Sequence, residues 1–266
     1  MMKRREFLSA GASAVGAAVL TGSNAAAAES SRRWIEIRTY WAKDEAAKEN
    51  LLAGLDAAVV RNRKKLGFEK IGLYTVNAAL HEGDGGYDPR WNRAVILTAD
   101  SDSLEKLALV HDHLLEQIAD ADRPEFTRDG SQLEEIDVSL HRAFPGCPTV
   151  EVPTRSPERV IQLRRYFSPN LDRNRAKRNM FDVRGELDLF RRCSMAPVFF
   201  SETIFGTVLP NVTYMLSFEN DEARRAAWKK FVEHPDWKQM SGEKEFENTA
   251  TRILNLFLKP APSSDI

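Results

Sequence analysis

Two short strings far apart in the chain, Trp34-Ile35-Glu36-Ile37-Arg38-Thr39-Tyr40 and Val160-Ile161-Gln162-Leu163-Arg164-Arg165-Tyr166, alternate apolar and polar side chains. They superpose with Ile37 on Leu163, Arg38 on Arg164 and Tyr40 on Tyr166. Alternation with a period of two is the mark of a strand with one sheltered face. A repeat of this kind constrains the fold more than composition does, because the elements after each copy also repeat.

After the first string, Lys43 to Leu66 has helical spacing, with Leu51, Leu55, Ala58 and Leu66 along one face and Gly67 at the C-cap position. Phe68–Val76 reads as a strand, His81–Pro89 as a Gly- and Asp-rich loop, and Arg93–Thr98 as a second strand. Asp100 or Ser101 can cap a helix running to about Asp120, and a last strand falls within Gln132–His141. After the second string come a helix over Leu171–Arg192, strands at Val198–Phe205 and Val212–Phe218, a helix over Asp221–Glu233 stopped by Pro235, and a strand at Thr249–Leu258. Both halves have the split βαβ order, β-α-β-β-α-β. The expectation is an α+β chain of two tandem ferredoxin-like units, one over 33–142 and one over 158–260. Pro145, Gly146, Pro148, Pro153 and Pro157 mark a linker at 143–157.

Helices in such a unit cover one face of the sheet, and the other face needs cover of its own. The expectation places Glu36, Arg38 and Tyr40, with Gln162, Arg164 and Tyr166, on the face away from the helices. Laying the two units together would make an intrachain pseudo-dimer.

Residues 1–28 read as an export signal. Lys3-Arg4-Arg5-Glu6-Phe7-Leu8 carries a twin arginine, Ser9–Gly22 is small and weakly apolar, and Ala25–Ala28 suit a signal peptidase. This predicts an exported protein, periplasmic or extracellular, with no membrane span after the leader, whose apolar run falls short of the roughly 20 residues a spanning helix needs. Losing residues 1–28 removes Lys3, Arg4, Arg5 and Glu6 and leaves a formal charge of −3. That near-balance argues against nucleic acid as a partner. Cys147 and Cys193 lie outside any CxxC pair and read as two structural thiols or one bridge.

The second half carries further strings. Glu202-Thr203-Ile204-Phe205-Gly206 precedes Leu209-Pro210-Asn211 and Tyr214-Met215-Leu216; Ala227-Trp228-Lys229-Lys230-Phe231 precedes His234-Pro235-Asp236-Trp237-Lys238. With Val160–Tyr166, these resemble bacterial members of the NIPSNAP family from about 158 to 260. The first half matches through Glu36–Tyr40 and its element order. The resemblance implies the dimeric α+β barrel fold, whose superfamily also holds small oxygenases and stress-response proteins. It implies no catalytic motif. Cys193-Ser194 stands where the family usually has glycine before the hairpin.

Candidate chemistry is sparse. His111-Asp112-His113 on a helix would aim its imidazoles apart, and His81, His141 and His234 are isolated, so no metal ligand set is expected. Gly83-Asp84-Gly85-Gly86 lacks the strand and helix of a phosphate cradle, and no cofactor is expected. Arg38 with Tyr40, and Arg164 with Tyr166, suit either interface pairing or an anion gripped between sheets. Glu202 shares the parity of Val198, Phe200 and Ile204 and needs either a partner, for which Arg164 is the candidate, or a raised pKa. His234 and Trp237 suit either a helix stop or a pocket rim beneath Trp228. Arg173, Arg175, Lys177 and Arg178 suit a solvated face or pairing with Asp172, Asp182 and Glu186, or else a patch for an acidic partner. Two functions follow as expectations, beside a structural role in assembly as a third. One is a non-catalytic module for a small ligand or protein partner. The other is a cofactor-independent enzyme, an oxygenase or isomerase, with Glu202, His234 and an Arg–Tyr pair converging on a pocket between sheet and helices. Either is compatible with a homo-oligomer.

Overall fold

In the computed structural model, which describes residues 32–83, 86–108 and 132–266, the second half of the chain follows the split βαβ order, and the first half follows it through β3 and the helical residues 104–108, with its last strand beginning after the next described residue, 132. The first half contributes β1 (Trp34–Ala42), α1 (Glu45–Gly54), α2 (Arg61–Lys65), β2 (Ile71–Val76), β3 (Ala94–Ser101) and β4 (Leu133–Ala143). The second contributes β5 (Val160–Phe167), α3 (Leu171–Asp182), α4 (Glu186–Arg192), β6 (Ala196–Phe205), β7 (Asn211–Phe218), α5 (Asp221–Glu233), α6 (Pro235–Ser241) and β8 (Arg252–Pro260). The leader, His111, His113 and most of the helix expected up to Asp120 lie outside the described residues.

Local chemistry sets the helix ends. Asp44, Asn170 and Asn220 each accept a bond from the backbone N–H three residues on, at 2.8, 2.9 and 2.9 Å. Gly67 takes φ +79°, with Gly67 N bonded to Lys64 O and Phe68 N to Arg63 O, the paired closure of a left-handed C-cap. The helix expected over Lys43–Leu66 passes through a π turn at Leu55–Val60, which brings Leu51, Leu55 and Val60 all onto the sheet. The helix expected over Leu171–Arg192 is two helices, broken where Gly185 turns left-handed at φ +87°. Asp100 and Ser101 do not cap a helix. They finish β3, pairing with Ile35 and Trp34, and Ser103 Oγ accepts from Lys106 N instead. The residue standing for the usual glycine, Ser194, adopts φ 62°.

The eight strands close into one barrel in the order β1-β3-β2-β8-β5-β7-β6-β4. Each unit supplies four adjacent strands, and the units meet edge to edge. Val76 pairs with Leu258 on one side; Arg142 pairs with Glu202 and Ala143 with Ser201 on the other. Closure pairs the edges that either half alone would leave open. The intrachain pseudo-dimer is therefore a continuous barrel.

The orientation of the strands reverses the expectation. Ile35, Ile37, Ile161 and Leu163 point into the barrel with Tyr74, Ile96, Met215, Leu256 and Leu258. Glu36, Arg38 and Tyr40, and Gln162, Arg164 and Tyr166, lie under the helices. Tyr40 packs with Leu51 and Leu55, Tyr166 packs against Phe181, Arg63 of α2 bonds Glu36, and Trp228 Nε1 of α5 donates to Gln162 Oε1 at 2.7 Å. A closed interior has no solvent to satisfy polar groups, so the aliphatic phase turns inward. The outer layer takes the polar phase because the helices carry long donors that reach it.

The linker and C-terminus pack on the barrel. Glu151 N bonds Val198 O, and residues after 260 return to β2, with Ala261 N on Leu73 O and Asp265 N on Ile71 O. Cys147 and Cys193 are buried free thiols, and burial pushes Cys147 up to about 11.

Candidate functional site

The residues singled out from sequence are distributed over several places. Arg38 and Arg63 both engage the Glu36 carboxylate beneath α1 and α2, and burial lowers both arginines, Arg63 to about 10. Tyr40 packs in the same layer. Glu202 is bound by Arg178 of α3 and by Arg32, not by Arg164, and borders a small pocket of about 180 Å3. Arg164 lies 4.6 Å from the Trp228 ring and 5.3 Å from that of Tyr166. Burial opposes its charge, but Tyr214, Tyr166 and Glu186 outweigh that and raise its pKa. His234 caps α6, its Nδ1 accepting from Asp236 N at 3.1 Å, and Trp237 packs on Phe231. Glu202, His234 and Arg164 thus share no cavity. In the basic run starting α3, Arg175 pairs with Asp172 and Lys177 with Glu186 as expected, while Arg178 takes Glu202 and Asp182 accepts from Gly146 N.

A larger cleft, about 710 Å3, opens at one end of the barrel, where β1 and β5 end and β4 and β8 begin. Its apolar walls are Trp41, Tyr87, Trp91 and Phe167. Trp41 and Trp91 pack with ring centroids 4.5 Å apart and planes inclined at 51°, and Arg90 lies 4.1 Å above Trp41 while bonding Glu135 at 2.7 Å. Three further arginines line it: Arg164, Arg165 and Arg252, the last 3.9 Å above the Phe167 ring. Among the described residues, none of these three forms an ion pair.

Behind the cleft, the inward side chains of β4, β5, β6 and β7 form a polar layer. Arg165 Nε donates to Thr213 Oγ1 at 3.0 Å and Arg165 Nη2 to Ser139 Oγ at 3.1 Å. Thr213 and Thr203 hydroxyls both donate to Asn211 Oδ1, and Asn211 Nδ2 donates to Val208 O at 2.6 Å. Thr203, having given its hydrogen to Asn211, can only accept from His141 Nδ1 at 3.0 Å. His141 Nε2 is then the acceptor, and Ser139 donates to it at 2.8 Å. Every bond direction is consistent with a neutral imidazole protonated on Nδ1. Burial, with Arg165 adding to it, holds His141 well below its ordinary value. Ser201 Oγ completes the layer with a bond to Thr213 O.

From sequence His141 reads as an isolated histidine and Arg165 as one residue of a strand, and neither is expected in a site. The signal was present: Arg165 falls in phase with Ile161 and Leu163, and Glu135, Asp137, Ser139 and His141 share the phase of Ala143. Cations and hydroxyls on the inward phase mark a polar floor in the barrel. No group of three or more His, Cys, Asp or Glu residues able to hold a metal occurs among the described residues. No helix among them is long and apolar enough to cross a membrane.

Comparison with known proteins places the second unit. Residues 162–265 match the family model described as NIPSNAP, bearing out the resemblance drawn from Val160 to Lys238. No curated protein matches the chain. Among solved structures, the chain is similar to a candidate monooxygenase from Lactobacillus acidophilus, with TM-score 0.54, 11% identity and coverage of 86% of this chain and 94% of that one. A candidate monooxygenase from Fusobacterium nucleatum gives 0.57 and 4%, over 86% and 92%. A NIPSNAP-like domain protein from Burkholderia xenovorans gives 0.36 and 21%, over 41% and 90%. At these identities the two longer matches show a shared fold, the dimeric α+β barrel, held here within one chain.

Proposed function

We propose that this chain is an exported, non-catalytic small-ligand-binding protein and that its ligand enters the mouth of the barrel. The carrying observation is the cleft itself, with four aromatic side chains and, at its lining, Arg165 held by hydrogen bonds to Thr213 and Ser139 behind it. Its volume lies in the range of small-molecule sites, and its mixture of flat apolar walls with a few convergent polar groups is what such sites share. Export rests on the twin-arginine leader at residues 1–28. The enzyme alternative drew on Glu202, His234 and Arg164 meeting at one cavity, and their separate placements weigh against it.

The test uses tryptophan fluorescence of the mature chain against a panel of small aromatic compounds. A ligand in the mouth quenches Trp41 and Trp91, so the response is expected to vanish in Trp41→Phe/Trp91→Phe while Trp34, Trp228 and Trp237 remain. A response retained in that double variant would place the ligand elsewhere.

A further inference from the structure

The cleft has a chemical preference as well as a shape. Resting on the proposed ligand site above, we infer that its ligand is a planar monocarboxylic acid, its carboxylate docked on Arg165 and its flat body held among Trp41, Tyr87, Trp91 and Phe167.

Arg165 carries the inference. It is half-buried on the inward phase of β5, and its two bonded nitrogens donate to the hydroxyls of Thr213 and Ser139. Those hydroxyls are neutral and pass their own hydrogens onward to Asn211 and His141. The network orients the guanidinium with neutral partners and gives it no ion pair among the described residues. Desolvating a cation without a counter-ion is costly, and an anion in the cleft removes that cost. A guanidinium also presents a planar fork that matches a carboxylate.

The surrounding charges set the number of anionic groups. Glu135 is tied to Arg90, and Asp88 accepts from the Arg90 backbone. Burial lowers the Arg165 pKa, with Arg252 adding to it, and Asp137, which accepts from Thr207 at 3.3 Å, opposes this only from a distance. Arg164 and Arg252 add positive charge without ion-pair partners among the described residues. Across the lining, Arg90, Arg164, Arg165 and Arg252 face Asp88, Glu135 and Asp137, a formal excess of one positive charge, which one carboxylate balances. The aromatic walls favour a flat body, since ring faces gain from offset or edge stacking.

His141 acts here as a positioning residue. Its Nε2 takes the Ser139 hydrogen, which turns the Ser139 lone pairs toward Arg165.

The probes are 2-naphthoate, the neutral isostere 2-naphthamide, and 2-naphthyl phosphate, titrated calorimetrically into the mature chain. Charge-assisted bonds to a half-buried arginine lead to roughly tenfold tighter binding of naphthoate than naphthamide. Arg165→Gln is expected to abolish that preference by weakening naphthoate alone, with unchanged far-ultraviolet circular dichroism. If Arg165→Gln does not fold, Arg252→Gln at the exposed rim is expected to weaken naphthoate about threefold, and no change there overturns the charge argument. Equal binding of naphthoate and naphthamide overturns the acid preference and leaves the mouth as a ligand site. Tighter binding of the phosphate overturns the carboxylate. Failure of all three probes to bind overturns both the preference and the site.

Discussion

Arg165 and Ser139 meet at 3.1 Å across the barrel interior, although β6 and β7 separate their strands in the wall. One residue belongs to each unit, so the polar floor is a joint product of both halves. Neither unit alone could assemble it.

The His141 network gives the stability a defined pH dependence. His141 is enclosed by Ser139 from β4, Arg165 from β5, and Ser201 and Thr203 from β6, none of which is anionic. Its folded pKa lies well below its unfolded value near 6.5. Below that pH the unfolded chain binds a proton that the folded chain refuses, so this contribution is present above about 6.5 and lost as pH falls. Denaturant midpoints between pH 7.5 and 5 are expected to fall with a slope up to about 1.4 kcal/mol per pH unit from this group. His141→Gln is expected to remove that part of the slope. An unchanged slope would show His141 to be protonatable in the native state.

The Lys177–Glu186 pair is buried on both sides, at 3.1 Å, with the Lys177 ammonium also 4.1 Å from the Phe181 ring. Lys177→Met strands a carboxylate and is expected to cost about 3–5 kcal/mol in urea unfolding. Lys177→Met/Glu186→Gln is expected to recover most of it. Burial raises the Glu186 pKa even beside Lys177 and Arg164. A raised carboxyl favours the folded state at low pH and loses that benefit as pH rises through the folded value, so the single variant's deficit is expected to shrink on acidification.

Ser194 sits at φ 62° between α4 and β6, a region where a Cβ is unfavourable. Ser194→Gly is expected to raise thermal stability by about 0.5–1 kcal/mol, and Ser194→Val to lower it. Differential scanning calorimetry of the pair checks the sign. A lower midpoint for Ser194→Gly would mean that the Ser194 side chain contributes more than the strain costs.

Export is tested at the leader. Arg4→Lys/Arg5→Lys in the full chain is expected to leave the protein unprocessed inside a bacterial host that exports the wild type. Processing that continues unaffected would assign the leader to another route.

The fold was legible because the period-two strings, Gly67 at a helix end and Pro235 as a helix stop each have a local physical signature. The direction of each strand's two faces was not, since alternation fixes two faces without saying which one the helices cover. Expecting Glu36, Arg38 and Gln162 to turn away from the helices assumed that helices bury only apolar surface. Arg63 and Trp228 supply the missing partners, and they come from segments distant in sequence. The site was hidden for a related reason. His141 and Arg165 belong to different units and are joined by hydroxyls from two further strands, so only barrel closure brings them together. Glu202 was correctly read as needing a cation, but Arg178 and Arg32, not Arg164, are within its reach.

The most direct measurement is a crystal structure of the mature chain grown with 2-naphthoate. The expected result is density in the barrel mouth, with the naphthalene against Trp91 and the carboxylate within hydrogen-bonding distance of Arg165. Density between sheet and helices, beside Trp228 and Gln162 with the mouth empty, would contradict it.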